Sequence, residues 1–99
     1  MLLGAEGGDP ECQNNIGMCY FEGRRVALDQ AKGAQWWRRA ADAGNAHAQN
    51  ALALCYMNGE GVAVDHAEMV RLLLPAAEAG LPDAQTTLGV AYSKGMGGL

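Results

Sequence analysis

The chain has 99 residues, 49% of them apolar, which is enough for one small domain with a core of its own. Seven Lys and Arg against eleven Asp and Glu give a formal charge of −4, and the only basic clusters are Arg24-Arg25 and Arg38-Arg39. The basic stripe that neutralises a phosphate backbone is missing, so nucleic acid is not an expected partner, and no apolar run approaches the about 18 residues of a membrane span.

In chain order, Met1 to Gly7 lacks both a basic n-region and a long apolar h-region, so it does not read as a signal peptide. It reads as the end of a truncated repeat. Asp9-Pro10 then supplies a capping acceptor followed by a proline at the first helical position, and Ile16, Gly17, Cys19 and Tyr20 recur at helical spacing. A helix is expected from about Pro10 to Phe21, closed by Gly23. After a loop, Asp29 caps a second helix carrying Ala31, Ala34, Trp36, Trp37, Ala40 and Ala41, which Gly44 can terminate. The same script runs from Asn45 to Asn58, resumes at Asp65 and stops at Gly80. A last helix is expected from about Pro82 to Lys94, followed by a disordered Gly-Met-Gly-Gly-Leu tail.

The script has a ruler. Gln-x6-Tyr-x2-Gly occurs at Gln13/Tyr20/Gly23, Gln49/Tyr56/Gly59 and Gln85/Tyr92/Gly95, a spacing of 36 residues that also superposes Gly8, Gly44 and Gly80. A fixed period of this size marks a solenoid, whose units bury their apolar faces against stacked neighbours. With no strand alternation anywhere, the expected fold is all-α: an α-solenoid of antiparallel helical hairpins, five helices plus an N-terminal stub. The expected divisions are 1–8 (end of a truncated repeat), 9–44 and 45–80 (full repeats) and 81–99 (a half repeat with a flexible tail).

Leu52-Ala53-x2-Tyr56-x2-Gly59-x-Gly61-Val62-x2-Asp65, with Trp36-Trp37-x-Arg39-Ala40-Ala41-x2-Gly44 from the other repeat, resembles the Sel-1-like repeat (SLR), a relative of the tetratricopeptide repeat (TPR). The resemblance covers almost the whole chain. Its departures have physical consequences. Arg25 stands where the second loop glycine belongs, so a positive φ there costs about 1 kcal/mol or forces another loop. Gly33 and Met69 replace a small alanine, which is expected to loosen the first hairpin and crowd the second. Pro75 removes the N–H that would bond the Arg71 carbonyl and should kink its helix. Some cysteine-rich relatives pair cysteines across each turn and are linked to β-lactams, but Ala41 to Gln49 contains no cysteine, so that activity is not carried over.

Candidate chemistry is sparse. His47 and His66 share no helical face with further ligands at metal spacing, and Cys12, Cys19 and Cys55 form no C-x-x-C pair. Cys12 and Cys19 lie two helical turns, roughly 10 Å, apart along the axis, too far for a disulfide. Reduced thiols lean toward a cytoplasmic setting without fixing the compartment. Ala91 occupies the repeat position of Cys19 and Cys55, which argues for packing over nucleophilic catalysis. Glu60, Asp65 and Glu68 suit a helix first turn, and Gly59-x-Gly61 follows no strand, so no dinucleotide site is read. No cofactor and no enzymatic activity are expected.

If the repeats stack as in tetratricopeptide proteins, the first helix of each hairpin lines the concave face. Tyr20, Tyr56 and Tyr92, with Ile16, Leu52 and Leu88, should then point into the hairpins, while Gly17, Ala53 and Gly89 let helices approach. The groove-facing set becomes Glu11, Asn14, Met18, Phe21 and Glu22, then His47, Asn50, Leu54, Met57 and Asn58, then Asp83, Thr86, Val90, Ser93 and Lys94. Apolar in its middle and polar at its rims, such a surface suits a peptide or partner protein. Asn14, Met18, Phe21, His47, Asn50, Leu54, Met57, Thr86 and Val90 are the candidate contacts, with the Asn14 and Asn50 carboxamides as backbone clamps. The alternative is a structural, self-assembling solenoid that homodimerises or extends through the uncovered last helix.

Overall fold

Four acidic or amide side chains nucleate helices as their positions dictate. In the computed structural model, which describes residues 8–96, helices α1 (Pro10–Glu22), α2 (Gln30–Asp42), α3 (Ala46–Asn58), α4 (His66–Glu78) and α5 (Pro82–Ser93) follow one another with no strand among the described residues. Asp9 accepts from the N–H of Glu11 at 3.0 Å, Asp29 from Lys32 at 3.1 Å, Asn45 from Ala48 at 2.8 Å and Asp65 from Glu68 at 3.1 Å. Each bond satisfies one of the donors a helix start leaves free. Leu81 precedes α5 and offers no such acceptor, but Pro82 at its first position needs none. The fold is thus the all-α solenoid of antiparallel hairpins that the ruler implies. The expected stub at 1–7 and the last three residues of the tail lie outside the described residues.

The ruler residues turn out to be joints. Gly23 and Gly59 end α1 and α3 with φ of 72° and donate to the Cys19 and Cys55 carbonyls. The N–H groups of Asp29 and Asp65 then return to the carbonyls of Tyr20 (2.8 Å) and Tyr56 (3.0 Å), closing both loops alike. Between repeats, Gln49 donates its side-chain N–H to the Ala41 carbonyl at 3.3 Å, and Gln85 does the same to Ala77 at 3.1 Å. The repeated glutamine therefore fastens the end of one hairpin to the start of the next, taking up carbonyls that a helix terminus leaves unpaired.

The core is a row of small side chains punctuated by a few large ones: Ala34, Ala40, Ala48, Ala53, Ala76, Ala84 and Ala91 beside Trp37, Leu52, Met69 and Leu73, all buried. Consecutive helices pack pairwise, α1 on α2, α2 on α3, α3 on α4 and α4 on α5. The result is an elongated body, 39 × 25 × 17 Å.

Two expectations are corrected. Gly33 does not loosen the first hairpin: a β-carbon there would stand 2.8 Å from the Gly17 carbonyl oxygen and 3.0 Å from the Phe21 nitrogen, so α1 and α2 touch through backbone. A β-carbon at Gly17 would likewise meet Trp37 Cδ1 at 2.7 Å. Tyr92 does not enter a hairpin and is 54% exposed, because no described helix covers that side of α5. Helix α4 runs from His66 to Glu78 with the exposed Pro75 inside it. The loop departure went as anticipated: Arg25 takes a positive φ of 63°, close to the 75° of Gly61 at the same repeat position.

Candidate functional site

The first helices of the two full hairpins, α1 and α3, are consecutive units of the stack, and a cleft of about 250 Å3 opens between them. Met18, Phe21 and Glu22 line it from α1 and Ala51, Leu54, Cys55 and Asn58 from α3; Trp37 of α2 and Glu60 of the following loop complete it. The helical period explains this lining. Residues 18, 21 and 22 recur at three and four residues, as do 51, 54, 55 and 58, so each set forms one stripe. Phe21 stacks at a tilt on Trp37, ring centroids 5.0 Å apart, which fixes the aromatic wall of the cleft. Trp37 is held in turn by its indole N–H, which donates to the Asn14 carbonyl at 3.1 Å.

Cys55 forms a wall of the cleft yet is only 1% exposed. Burial, reinforced by the nearby Glu60 carboxylate, pushes its thiol up to about 12, so at neutral pH it is a protonated, inert group. Cys12 is also raised, first by its hydrogen bond to Asp9, 3.4 Å away. Neither thiol has the lowered pKa of a nucleophile, and no group of His, Cys, Asp and Glu among the described residues could hold a metal.

The predicted contacts separate. Met18, Phe21 and Leu54 line the cleft together; His47, Met57, Thr86 and Val90 do not. His47 is exposed on the first turn of α3, Met57 packs against the core, and Thr86 and Val90 are exposed on α5. Asn14 is corrected outright: it is 7% exposed, so its carboxamide is not offered to a groove. It lies three residues from Gly17, on the stripe that α2 covers, where Trp37 reaches its carbonyl. Asn50 is half-buried, and its Oδ1 is buried without a hydrogen-bond partner. Sequence reasoning missed Ala51, Cys55, Trp37 and Glu60 as lining. The first two share the stripe of Leu54 and were legible from spacing, whereas Trp37 and Glu60 arrive from other elements.

A second, shallower cleft of about 450 Å3 lies between α2 and α3, under the loop at Gly61 and Val62. Its polar feature is structural. Arg38 donates to the Tyr56 hydroxyl at 2.8 Å and to Glu68 at 3.0 Å, tying α2, α3 and α4 together. Burial works to lower the pKa of this guanidinium, but the bonds to Tyr56 and Glu68 outweigh it and the net direction is upward. Arg39 lies over the Trp36 ring at 4.6 Å.

The Sel1 repeat family model matches residues 10–45, 46–81 and 82–99, nearly the entire chain. The chain belongs to the Sel1 repeat family. Among solved structures, the SLR-fold protein c5321, a protective antigen present in uropathogenic Escherichia coli strains, is 38% identical over 94% of this chain, with a TM-score of 0.91. A Sel1 repeat protein from Oxalobacter formigenes is 33% identical over 92% of this chain, with a TM-score of 0.88. The present chain spans 20% and 37% of those two proteins. No curated protein sequence matches it. Sel1 repeats generally serve as protein-interaction modules. No helix among the described residues is long and apolar enough to cross a membrane.

Proposed function

We propose that this Sel1 repeat chain is a non-catalytic interaction module that holds a peptide or a segment of a partner protein in the cleft between α1 and α3. One observation carries the reading: Met18, Phe21 and Glu22 of one repeat and Leu54 and Asn58 of the next, outward-facing by their spacing, line a single apolar cleft with polar ends. An apolar floor that orders a side chain, rimmed by groups able to hydrogen-bond, is the anatomy of a hot spot. The buried, protonated Cys55 on the wall of the cleft offers a packing surface, which agrees with binding there.

The test is a photo-crosslinking residue at the exposed Asn58, with capture compared against a Met18→Glu/Leu54→Glu variant that retains its helical circular dichroism. Partners bound through the cleft disappear in the variant. Capture that persists unchanged places the binding surface elsewhere.

A second reading rests on α5. Val90 and Tyr92 are 41% and 54% exposed, and a β-carbon at Gly89 would meet nothing within 4 Å, whereas the equivalent Gly17 is sealed by Trp37. A homodimer through α5, or a further unit of a longer stack, would cover this face. Sedimentation at micromolar concentration discriminates: a Tyr92→Lys-sensitive dimer supports self-association, and a monomer at all concentrations removes the homodimer.

A further inference from the structure

The apolar walls of the α1–α3 cleft carry charge of one sign. Among the described residues, Glu22 and Glu60 are its only charged lining residues, and no Lys, Arg or His lines it. The two carboxylates are not equivalent. Glu22 is neutralised at 2.7 Å by Arg24, an exposed surface pair. Glu60 occupies the repeat position of Arg24, one unit later, and has no ion-pair partner among the described residues. The ruler that keeps so many residues in step reverses a charge here, in the loop beside the cleft. Glu60 is also half-buried, and its field reaches the wall of the cleft, where it helps raise the Cys55 thiol. A carboxylate partly withdrawn from water attracts a cation more strongly than one on the open surface. Beside it, Leu54, Phe21 and Trp37 offer a pocket the size of one large apolar side chain.

We propose that the cleft selects a peptide segment in which a large apolar residue is flanked by lysine or arginine, the apolar side chain seated against Leu54, Phe21 and Trp37 and the cation held by Glu60. This deepens the interaction reading and rests on it. The apolar anchor supplies the affinity and the carboxylate the choice among anchors, since electrostatic complementarity acts on specificity and association rate more than on raw affinity.

The experiment uses three short fluorescein-labelled Ser/Gly peptides with one central Phe, flanked on both sides by Lys, by Ser or by Glu. Anisotropy is read with the native chain and with Glu60→Gln, Glu78→Gln and Leu54→Lys variants. Glu78, exposed on α4, controls for net charge. The expected result is a Lys-flanked peptide bound about fivefold more tightly than the Ser-flanked one, the value of a favourable ion pair of about 1 kcal/mol. Glu60→Gln should abolish that preference, so that the Lys-flanked and Ser-flanked peptides bind alike, and Glu78→Gln should leave it in place. Equal affinity of all three peptides, an equal effect of Glu78→Gln, or no measurable binding of the Lys-flanked peptide overturns the proposal. Leu54→Lys separates the two levels. Binding lost in that variant but indifferent to the flanks leaves the cleft as the site and removes only the cation preference; binding that survives it removes the cleft itself.

Discussion

The two full hairpins share a backbone plan and fill it with different side chains. In the first, Gly17 and Gly33 bring α1 and α2 into backbone contact, and Trp37 seals the joint. In the second, the same positions hold Ala53, Met69 and Leu73, all at most 1% exposed. Volume moves from one position to another: the first hairpin puts its bulk into a tryptophan and empties the facing site, the second shares it between a methionine and a leucine. Close packing requires that the space be filled, not that a given residue fill it. The consequence reaches the cleft, because only the first hairpin supplies an indole to its wall.

The contrast is broken most severely at Trp37. Trp37→Ala should cost about 3–5 kcal/mol by chemical denaturation, a cavity plus the lost bond to Asn14, and should also empty the wall behind Phe21. A cost under about 1 kcal/mol would mean that the first hairpin collapses around the gap. Pro75, whose counterpart in the first hairpin is Arg39, should act in the opposite direction. Pro75→Arg restores an N–H facing the Arg71 carbonyl and should stabilise the chain by up to about 3 kcal/mol, read as a rise in denaturation midpoint.

Smaller effects sharpen the same contrast. Gly33→Ala drives a methyl group against the Gly17 oxygen and the Phe21 nitrogen, neither able to swing aside, and should cost about 1–3 kcal/mol. In the loops, Gly61→Ala adds strain at φ 75° to a β-carbon 2.5 Å from the Gln30 oxygen, whereas Arg25→Gly relieves a side chain held at φ 63°. The first should destabilise, and the second should stabilise by about 1 kcal/mol at most, part of it returned as unfolded-state entropy. Last, the Cys55 thiol is raised from 9.0 to about 12 in the folded chain. The folded state then holds this proton more tightly than the unfolded one, so its contribution is intact below pH 9.0 and is lost as the pH climbs toward about 12. Cys55→Ala should flatten that alkaline decline, read as denaturation midpoint against pH.

Much of this was legible in the chain itself. Four of the five helix starts and the ends of α1 and α3 follow from residues with a local job, Asp9, Asp29, Asn45 and Asp65 as acceptors and Gly23 and Gly59 as left-handed closers, because capping is settled within a few residues. The stripe of Met18, Phe21 and Leu54 followed from helical spacing. Asn14 and Asn50 did not. They share a repeat position, but the tight first joint draws Trp37 over Asn14, whereas Leu73 has no indole to extend to Asn50. Gly33 misled for a related reason: a glycine inside a helix signals weakness until its opposite number is known to be another glycine's carbonyl.

The 36-residue phase, the caps and the alternation of helices were determined by sequence alone, since each depends on neighbours along the chain. How near two helices come, which asparagine stays covered, and where Glu60 meets the apolar wall were decided only in the tertiary structure. Those outcomes depend on the summed volumes and charges of side chains that the sequence holds far apart and the stack brings together.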